Sequence, residues 1–390
     1  MTAFEFPAEL RIRLTELRRE IHQHPELAFK EERTAARLES ELSRISSAVV
    51  RRVSGTGVTA RIPGRDRSAP AVALRGDIDA LPIDEATGLT FASRTPNVMH
   101  ACGHDVHASW AVGAAALLAA QPAQGDVIVI LQPAEETGKG ALAILESGAL
   151  DDARAIFGGH VDRRFAIGQV VADEGPLAAS ADTFEIELVG AGAHAARPHE
   201  SADPIVGAAA VISALQTIVA RRLNPATPGV VTVGAVHAGT AANVIPERAV
   251  LQGTIRAVDP SSRDLMHNEL RRIVTSTAAA FRLEARISLD RGTPPIVNPP
   301  QATAWARDAA ARVVGAANVV PLGFLNMAGE DFAHYMEQVP GCFLRIGARE
   351  PGGEVIPAHT PRFYAGEESL FVGAAVLAEC ARVASAALSA

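Results

Sequence analysis

Apolar residues set the first pattern. Leu10, Leu14, Leu17 and Ile21 recur at steps of four, three and four, which lays them along one face of a 3.6-residue helical period. Pro25 interrupts the run, and Leu38, Leu42 and Ile45 mark a second amphipathic helix beyond it. Short apolar stretches then alternate with helical ones. Ala71–Leu74, Val127–Leu131 and Ala155–Phe157 read as buried strands, while Ala108–Ala120 and Gly140–Glu146 read as helices between or after them. Strands alternating with helices predict an α/β fold with a mainly parallel, doubly wound sheet.

The pattern changes near Asp182. Thr183–Val189 (TFEIELV) alternates polar and apolar positions, as suits a strand with one packed and one wet face. A helix over Pro204–Arg222 follows, then strands over Val230–Val236 and Ala249–Ile255, a helix over Ser261–Phe281 and a strand over Leu283–Leu289. That order, β-α-β-β-α-β, is the ferredoxin-like sandwich. The Pro-rich stretch Gly292–Pro300 reads as its exit linker. From Ala302, helix, strand and helix resume and complete the first domain. The expectation is a discontinuous main domain, residues 1–180 and 292–390, with an inserted ferredoxin-like α+β domain at 181–291.

Composition narrows the classes. The chain has 390 residues, 48% hydrophobic and 21% charged, which suits two or three packed domains and excludes a disordered or fibrous protein. A formal net charge of −8, without clustered Lys and Arg, argues against a nucleic-acid surface. No run approaches the ~18 uncharged apolar residues of a membrane span. Glu5 and Glu9 stand where a secretory leader would carry a basic cluster and then an apolar core, so the expected location is the cytoplasm, with no membrane partner. Three widely spaced cysteines give no disulfide framework. Cys342 and Cys380 sit in apolar stretches and read as inert buried thiols; Cys102 lies in HACGHDVH.

The remaining polar residues follow the predicted strands. Asp77 and Asp79 come after Ala71–Leu74, Glu135 and Glu136 after Val127–Leu131, and His160 after the run AIFGG. Ligand sites of open α/β sheets lie outside the carboxyl ends of the strands, so three strands deliver acids and an imidazole to one rim. Any one of them alone is equally a helix cap or a solvated loop acid. The strongest local signal is His100-Ala-Cys102-Gly-His104-Asp105-Val-His107, where thiolate and imidazole suit a first-row metal of zinc-like softness. Gly103 lets the backbone turn there, and Asp105 reads as the N-cap of the next helix. Adjacent glutamates suit a division of labour, one binding metal and the other taking a proton from a metal-held water. Read alone, they are a charged turn.

Nine segments in order carry a resemblance: GDIDALP, HACGHDVHAS, LQPAEETGKGA, GGH, AHAARPHESADPI, NVIPE, GTIR, AGEDF and AHTPRF. They resemble the dinuclear-metal amidohydrolase and peptidase family of aminoacylases, hippurate hydrolases and auxin-conjugate hydrolases, related to carboxypeptidase G. The likeness runs from HPELAFKEERTA to the C-terminal helix. It implies a catalytic domain holding two divalent metal ions (zinc or manganese, with cobalt or nickel as alternatives) and a lid domain that forms a homodimer. It implies Cys102, His104, Glu136, His160 and His359 as metal ligands and Glu135 as general base, with Asp77 or Asp79 in support.

On the lid, His194 matches a histidine that reaches an active site, often the partner subunit's. Asn243 and Arg256 match substrate-binding positions. The planar fork of Arg256 suits a carboxylate, and an arginine there is equally a surface ion pair. Glu330-Asp331 reads either as a helix start or as pocket wall, while His107, His199 and Trp110 are expected to be supporting or structural. The reaction implied is hydrolysis of the amide bond of an N-acyl amino acid, with a metal-held water activated by Glu135. The alternative is a metallo-carboxypeptidase or dipeptidase acting on peptides.

Two departures from the family pattern bear on substrate range. Ala193 stands where a glycine is usual before the lid histidine. After His160 the chain reads VDRRFAIG, where relatives carry apolar, proline-bearing stretches, so Asp162, Arg163 and Arg164 are expected to alter the pocket's charge. Two rivals come from other classes. A metal-binding protein that has lost catalysis would lack a base or a ligand, and none is missing. A thiol hydrolase would use Cys102 as nucleophile with His104 or His107 as base.

Overall fold

The apolar runs read as buried strands join in one sheet. In the computed structural model, which describes residues 6–390, its seven strands take the order Val49–Val53, Gly57–Ile62, Val127–Gln132, Ala71–Asp77, Ala153–Ala166, Gly341–Arg349, Val170–Val171. The four strands from Val127–Gln132 to Gly341–Arg349 run parallel. The remaining three pair antiparallel at the two edges. Every residue of Ala71–Asp77 and Val127–Gln132 is buried, which is why these strands lack polar alternation. The mainly parallel α/β architecture therefore holds. The edge strands Val49–Val53 and Gly57–Ile62 are new, since Arg51, Arg52 and Arg61 break their apolar runs.

Helices Ala8–Gln23, His104–Ala120 and Glu368–Leu388 pack together beside this sheet. The predicted face of the first, Leu10, Leu14, Leu17 and Ile21, is buried. His104–Ala120 begins four residues before the expected Ala108, and every residue from His104 to Ala115 is buried. Small residues permit this packing. A Cβ on Gly113 would lie 2.7 Å from Leu14 Cδ1 and 2.8 Å from Ala374 Cβ. Among the described residues two helical segments, Pro204–Arg222 and Glu368–Leu388, are long and apolar enough to cross a membrane by length and composition, but each carries charged residues, so neither is an uncharged apolar run of that length. The second is a core helix, with 72% of its most apolar window buried.

The chain divides into two compact units. The first runs to Gly175 and takes in Asn298–Phe324 and Asp331–Ala390; the second is Pro176–Val297 with Leu325–Glu330. These divisions lie a few residues from the expected 180/181 and 291/292. Backbone pairing of Ala178 with Asn326 and of Ala179 with Ala328 joins the segments 176–180 and 325–330 within the second unit. The stretch read as a linker contributes the strand Ile296–Asn298.

The second unit is built on a four-stranded antiparallel sheet in the order Gly229–Ala238, Arg248–Ala257, Ala181–Val189, Glu284–Thr293. With helices Pro204–Leu215 and Pro260–Ala280 between strands, this is the ferredoxin-like order read from the sequence. Asp203 caps the first helix through the amides of Ile205 and Val206, and Asp259 caps the second through that of Ser262. The first ends at Leu215, before a separate π-helical turn at Ile218–Arg222.

Candidate metal centre

The expected rim forms at the carboxyl ends of the parallel strands of the first unit. Asp77 is the last residue of Ala71–Asp77, and Glu135–Thr137 is a 3-10 turn just beyond Val127–Gln132. His160 lies within Ala153–Ala166 rather than after it, because that strand continues through the charged residues Asp162, Arg163 and Arg164. His104 is the first residue of its helix. Gly103 makes that start possible. Its φ is +94°, and a Cβ there would lie 2.4 Å from Val161 Cγ2, so a side chain is excluded twice over.

Asp105 is not the N-cap. It sits in the first turn, and its Oδ2 accepts from Arg18 Nε at 2.7 Å and lies 2.8 Å from His22 Nδ1, all three side chains buried. The two glutamates are set by their backbone. Ala134 has a left-handed φ of 54°, and its N–H donates to the buried Glu31 Oε1 at 2.9 Å. The Glu136 N–H donates to Asp79 Oδ2 at 3.0 Å, and the Asp331 N–H donates to Glu135 Oε1 at 3.3 Å.

These elements bring together four of the implied ligands and the implied base. His104 Nδ1 is held by the Asp79 carbonyl (2.9 Å) and by Asp79 Oδ1 (3.1 Å). Its Nε2 faces inward, 3.9 Å from Glu135 Oε2 and 4.0 Å from Glu136 Oε1. Cys102 Sγ lies 3.1 Å from His160 Nε2, whose ring is oriented through Nδ1 by the Val161 carbonyl at 2.7 Å. His359, the fifth, places Nε2 3.2 Å from Glu136 Oε1. Cys102, His104 and His160 converge as one group of possible ligands, Cys102, Glu136 and His359 as a second, and His104, Glu135 and Glu136 as a third.

Two details fit this cluster to a cation. His104 Nε2 is buried without a hydrogen-bond partner, and Glu136 Oε1 makes no hydrogen bond although His359 Nε2 lies 3.2 Å away; a buried polar atom left without a hydrogen bond costs about 1–3 kcal/mol. The rings of His104 and His160 are each oriented by an oxygen on the far nitrogen, the arrangement that presents a metal-binding nitrogen. Electrostatics agree. Burial, with the Glu136 and Glu135 carboxylates adding to it, pushes the Cys102 thiol well up. A bare thiol so placed is a poor nucleophile, which weighs against the thiol hydrolase.

Beneath the rim lies a network that the sequence did not announce. Arg75 donates to Gln132 Oε1 (2.8 Å), to Asp77 Oδ2 and to Asp331 Oδ1 (2.9 Å). Gln132 Nε2 also donates to Asp331, and Tyr335 Oη donates to Gln132 Oε1. Burial disfavours the Asp77 carboxylate, but Arg75, His104 and His107 outweigh it and hold it well below the usual range. Asp331 is thus the buried partner of Arg75, and it also stands at a helix start, since its carbonyl accepts the His334 N–H at 3.0 Å just before the short helix Ala333–Met336. His107 uses both nitrogens, Nδ1 toward Asp77 Oδ1 at 2.7 Å and Nε2 accepting from the Val161 N–H at 3.0 Å, and Trp110 stacks on it at 4.5 Å. Both are supporting, as expected. His100 is buried with neither nitrogen bonded, and burial lowers it to about 3. Only strand periodicity at Arg75, an arginine inside an apolar run, hinted at this layer.

His194, Asn243 and Arg256 belong to the second unit. His194 is exposed on a two-residue strand opposite Val244, and the Ala195 N–H bonds the Asn243 carbonyl at 3.0 Å, so these two are neighbours. His194 Nδ1 accepts the Ala196 N–H at 3.1 Å. Arg256 is half-buried on Arg248–Ala257, opposite Val230. His199 is exposed.

Comparison with known proteins gives the same direction. A family model described as peptidase family M20/M25/M40 matches residues 73–383. The chain is 41% identical over 334 residues to an N-acetyl-L-cysteine deacetylase of Bacillus subtilis (strain 168), covering 85% of this chain and 79% of that one. It is 39% identical over 379 residues to an N-acetylcysteine deacetylase of the same organism, covering 95% and 96%. Among solved structures, the Bacillus subtilis YXEP protein, a dinuclear metal binding peptidase from the M20 family, superposes with a TM-score of 0.85 at 36% identity. That match covers 97% of this chain and 99% of the other.

Proposed function

The chain belongs to peptidase family M20/M25/M40, and from that premise we propose that it hydrolyses the amide bond of N-acyl amino acids, releasing a carboxylate and a free amino acid. The observation that carries the reading is the inward-facing, unpaired His104 Nε2 among Cys102, Glu135 and Glu136. Cys102, His104, Glu136, His160 and His359 would hold two divalent ions. Thiolate and imidazole favour zinc, with manganese, cobalt and nickel as the other ions to try. Bound there, the ions supply Lewis acidity that polarises an amide carbonyl and makes water a better nucleophile.

The chain's own groups do the rest. Glu135 takes a proton from the attacking water and returns it to the departing amine. The Asp331 N–H holds its Oε1, which leaves Oε2 turned toward His104. His194, which accepts the Ala196 N–H on Nδ1, is assigned to stabilise a developing oxyanion through its other ring nitrogen. Asn243 and Arg256 are assigned to substrate binding, with Arg256 for a carboxylate. The first unit is the catalytic domain and the second the lid. A homodimer formed through the second unit is part of the reading and rests on the family resemblance. We place the enzyme in the cytoplasm, with a small-molecule substrate and no nucleic-acid or membrane partner.

A second reading, peptide hydrolysis by the same groups, is favoured by the peptidase found as a structural neighbour. One experiment separates them. Metal-stripped protein is re-supplied with zinc, manganese, cobalt or nickel and given N-acetyl and N-benzoyl amino acids beside dipeptides. Restored cleavage of the acyl amino acids is expected. Cleavage of dipeptides alone would transfer the protein to the peptidases, and metal binding without any cleavage would leave the non-catalytic class.

A further inference from the structure

Arg163 was expected from the sequence to alter the pocket's charge, and the structure gives it a different use. Its side chain is 1% exposed. Nη1 donates to Glu350 Oε2 at 2.9 Å and to the Tyr364 carbonyl at 3.2 Å, while Nε and Nη2 donate to the Glu354 carbonyl at 3.2 and 2.9 Å. The guanidinium also lies over the Tyr364 ring, 4.3 Å from its centroid. Its charge is neutralised by Glu350 and by carbonyl dipoles. Arg164 likewise turns onto Asp162 and onto the Phe324 ring, at 3.5 Å.

All of these Arg163 partners flank one stretch of chain. Between the strand Gly341–Arg349 and the helix Glu368–Leu388 the backbone has no regular structure, and His359 lies in that loop between Glu354 and Tyr364. His359 has a left-handed φ of 62°, a conformation that a non-glycine residue keeps only when its surroundings impose it. Two backbone bonds act close to it, from the His359 N–H to the Ala101 carbonyl and from the Ala86 N–H to the Pro361 carbonyl, both 2.8 Å. Arg163 grips the loop on either side of them. It also stands three residues beyond His160 on the same strand.

We propose that Arg163 is the positioning residue for His359, one buried guanidinium that locks the loop of one metal ligand to the strand of another. The inference rests on the reading of His160 and His359 as ligands. Arginine is required because its planar fork serves Glu350, Glu354 and Tyr364 together, which the single ammonium of a lysine cannot do. Residues that orient ligands without touching the metal typically change affinity by about 10–100-fold.

The test uses zinc binding to the metal-stripped full chain, by equilibrium dialysis, for wild type, Arg163→Lys, Arg163→Met and His359→Ala, with hydrogen exchange measured in parallel. Wild type should bind two ions. Arg163→Lys should keep one at wild-type affinity and bind the other about 10–100-fold more weakly, the same site that His359→Ala weakens. Amides of residues 350–364 should exchange faster, with those of 71–77 and 104–120 unchanged. Wild-type affinity at both sites in Arg163→Lys, or equal loss at both, would overturn the proposal. If Arg163→Met does not fold, Arg163→Lys decides; if neither folds, Arg163 is a core residue and the proposal falls. Failure of the wild type itself to take zinc would remove the metal-centre reading, and this inference with it.

Discussion

The floor and the rim of the cluster both gather ionisable side chains, and the protein treats them in opposite ways. In the floor, Arg75, Asp77 and Asp331 have fully buried side chains, and each charge meets another. Gln132 and Tyr335 close the network. On the rim, Glu135 and Glu136 are 11% and 13% exposed and His359 is 53% exposed, and atoms of His104 and Glu136 go unbonded. Full burial among opposite charges removes a group from chemistry; a group at the partly open rim stays available to a ligand. The floor should therefore govern stability, with activity following, and the rim should govern activity alone.

The largest expected effect is on the rim. Glu135→Gln should lower kcat by about 10²–10⁴-fold, the usual contribution of a general base. The urea midpoint and the zinc count should not move. Activity within tenfold of wild type would remove Glu135 from the mechanism. Next comes the floor. Asp77→Ala takes one of two buried carboxylates from the Arg75 guanidinium, leaving Asp331, and takes the partner from His107; breaking a buried pair from one side typically costs about 3–5 kcal/mol. Urea unfolding should show that loss. A change below about 1 kcal/mol would mean the floor is no more than a surface pair in effect, and the contrast would fail.

His359→Ala sharpens the comparison from the exposed side. Its ring is half out of the protein and makes few packing contacts to lose, so stability should change by less than about 0.5 kcal/mol. Zinc affinity at one site should nevertheless fall by more than the roughly 10–100-fold typical of a supporting residue. Equal loss of stability and affinity would place His359 with the floor.

The rim was far more legible in the sequence than the floor, for a physical reason. Ligand chemistry needs particular atoms close together, and part of that closeness is local: Cys102 and His104 flank one glycine, and Glu135 and Glu136 are neighbours. Periodicity likewise gave the parallel strands and the ferredoxin-like order, because burial on one face or two imposes it. The floor is assembled from Arg75, Gln132 and Asp331, which are remote in sequence and meet only through the sheet. Asp105 misled for a related reason. An acid beside a helix start reads as a cap, but Arg18 and His22, more than 80 residues away in sequence, claim its carboxylate. Arg163 was visible as an oddity, yet its partners lie near residues 350–364, beyond any local pattern.

The smallest effect comes from the opposite end of one of the strands that build the rim. Val127–Gln132 leads to Glu135 at one end and follows Asp126 at the other. Asp126 accepts Arg61 Nε on Oδ2 at 2.7 Å and the Gly64 N–H on Oδ1 at 2.9 Å. Burial raises its pKa, but the bonds from Arg61 and Gly64 outweigh that and lower it. A carboxyl whose folded pKa is depressed adds stability above its unfolded value, near 3.9, and loses it as pH falls through the folded value. Arg61 is about a third exposed, so solvent screens the pair and Asp126→Asn should cost only about 0–1 kcal/mol at pH 7. Urea unfolding from pH 7 downward should show wild type losing this increment below about pH 4, with a flatter acid limb in the variant. Hydrolysis by Asp126→Asn at pH 7 should match wild type, because an acid at the amino end of a parallel strand faces no ligand site. A drop in kcat there would show that the strand transmits strain along its length, and the division between a structural end and a chemical end would have to be given up.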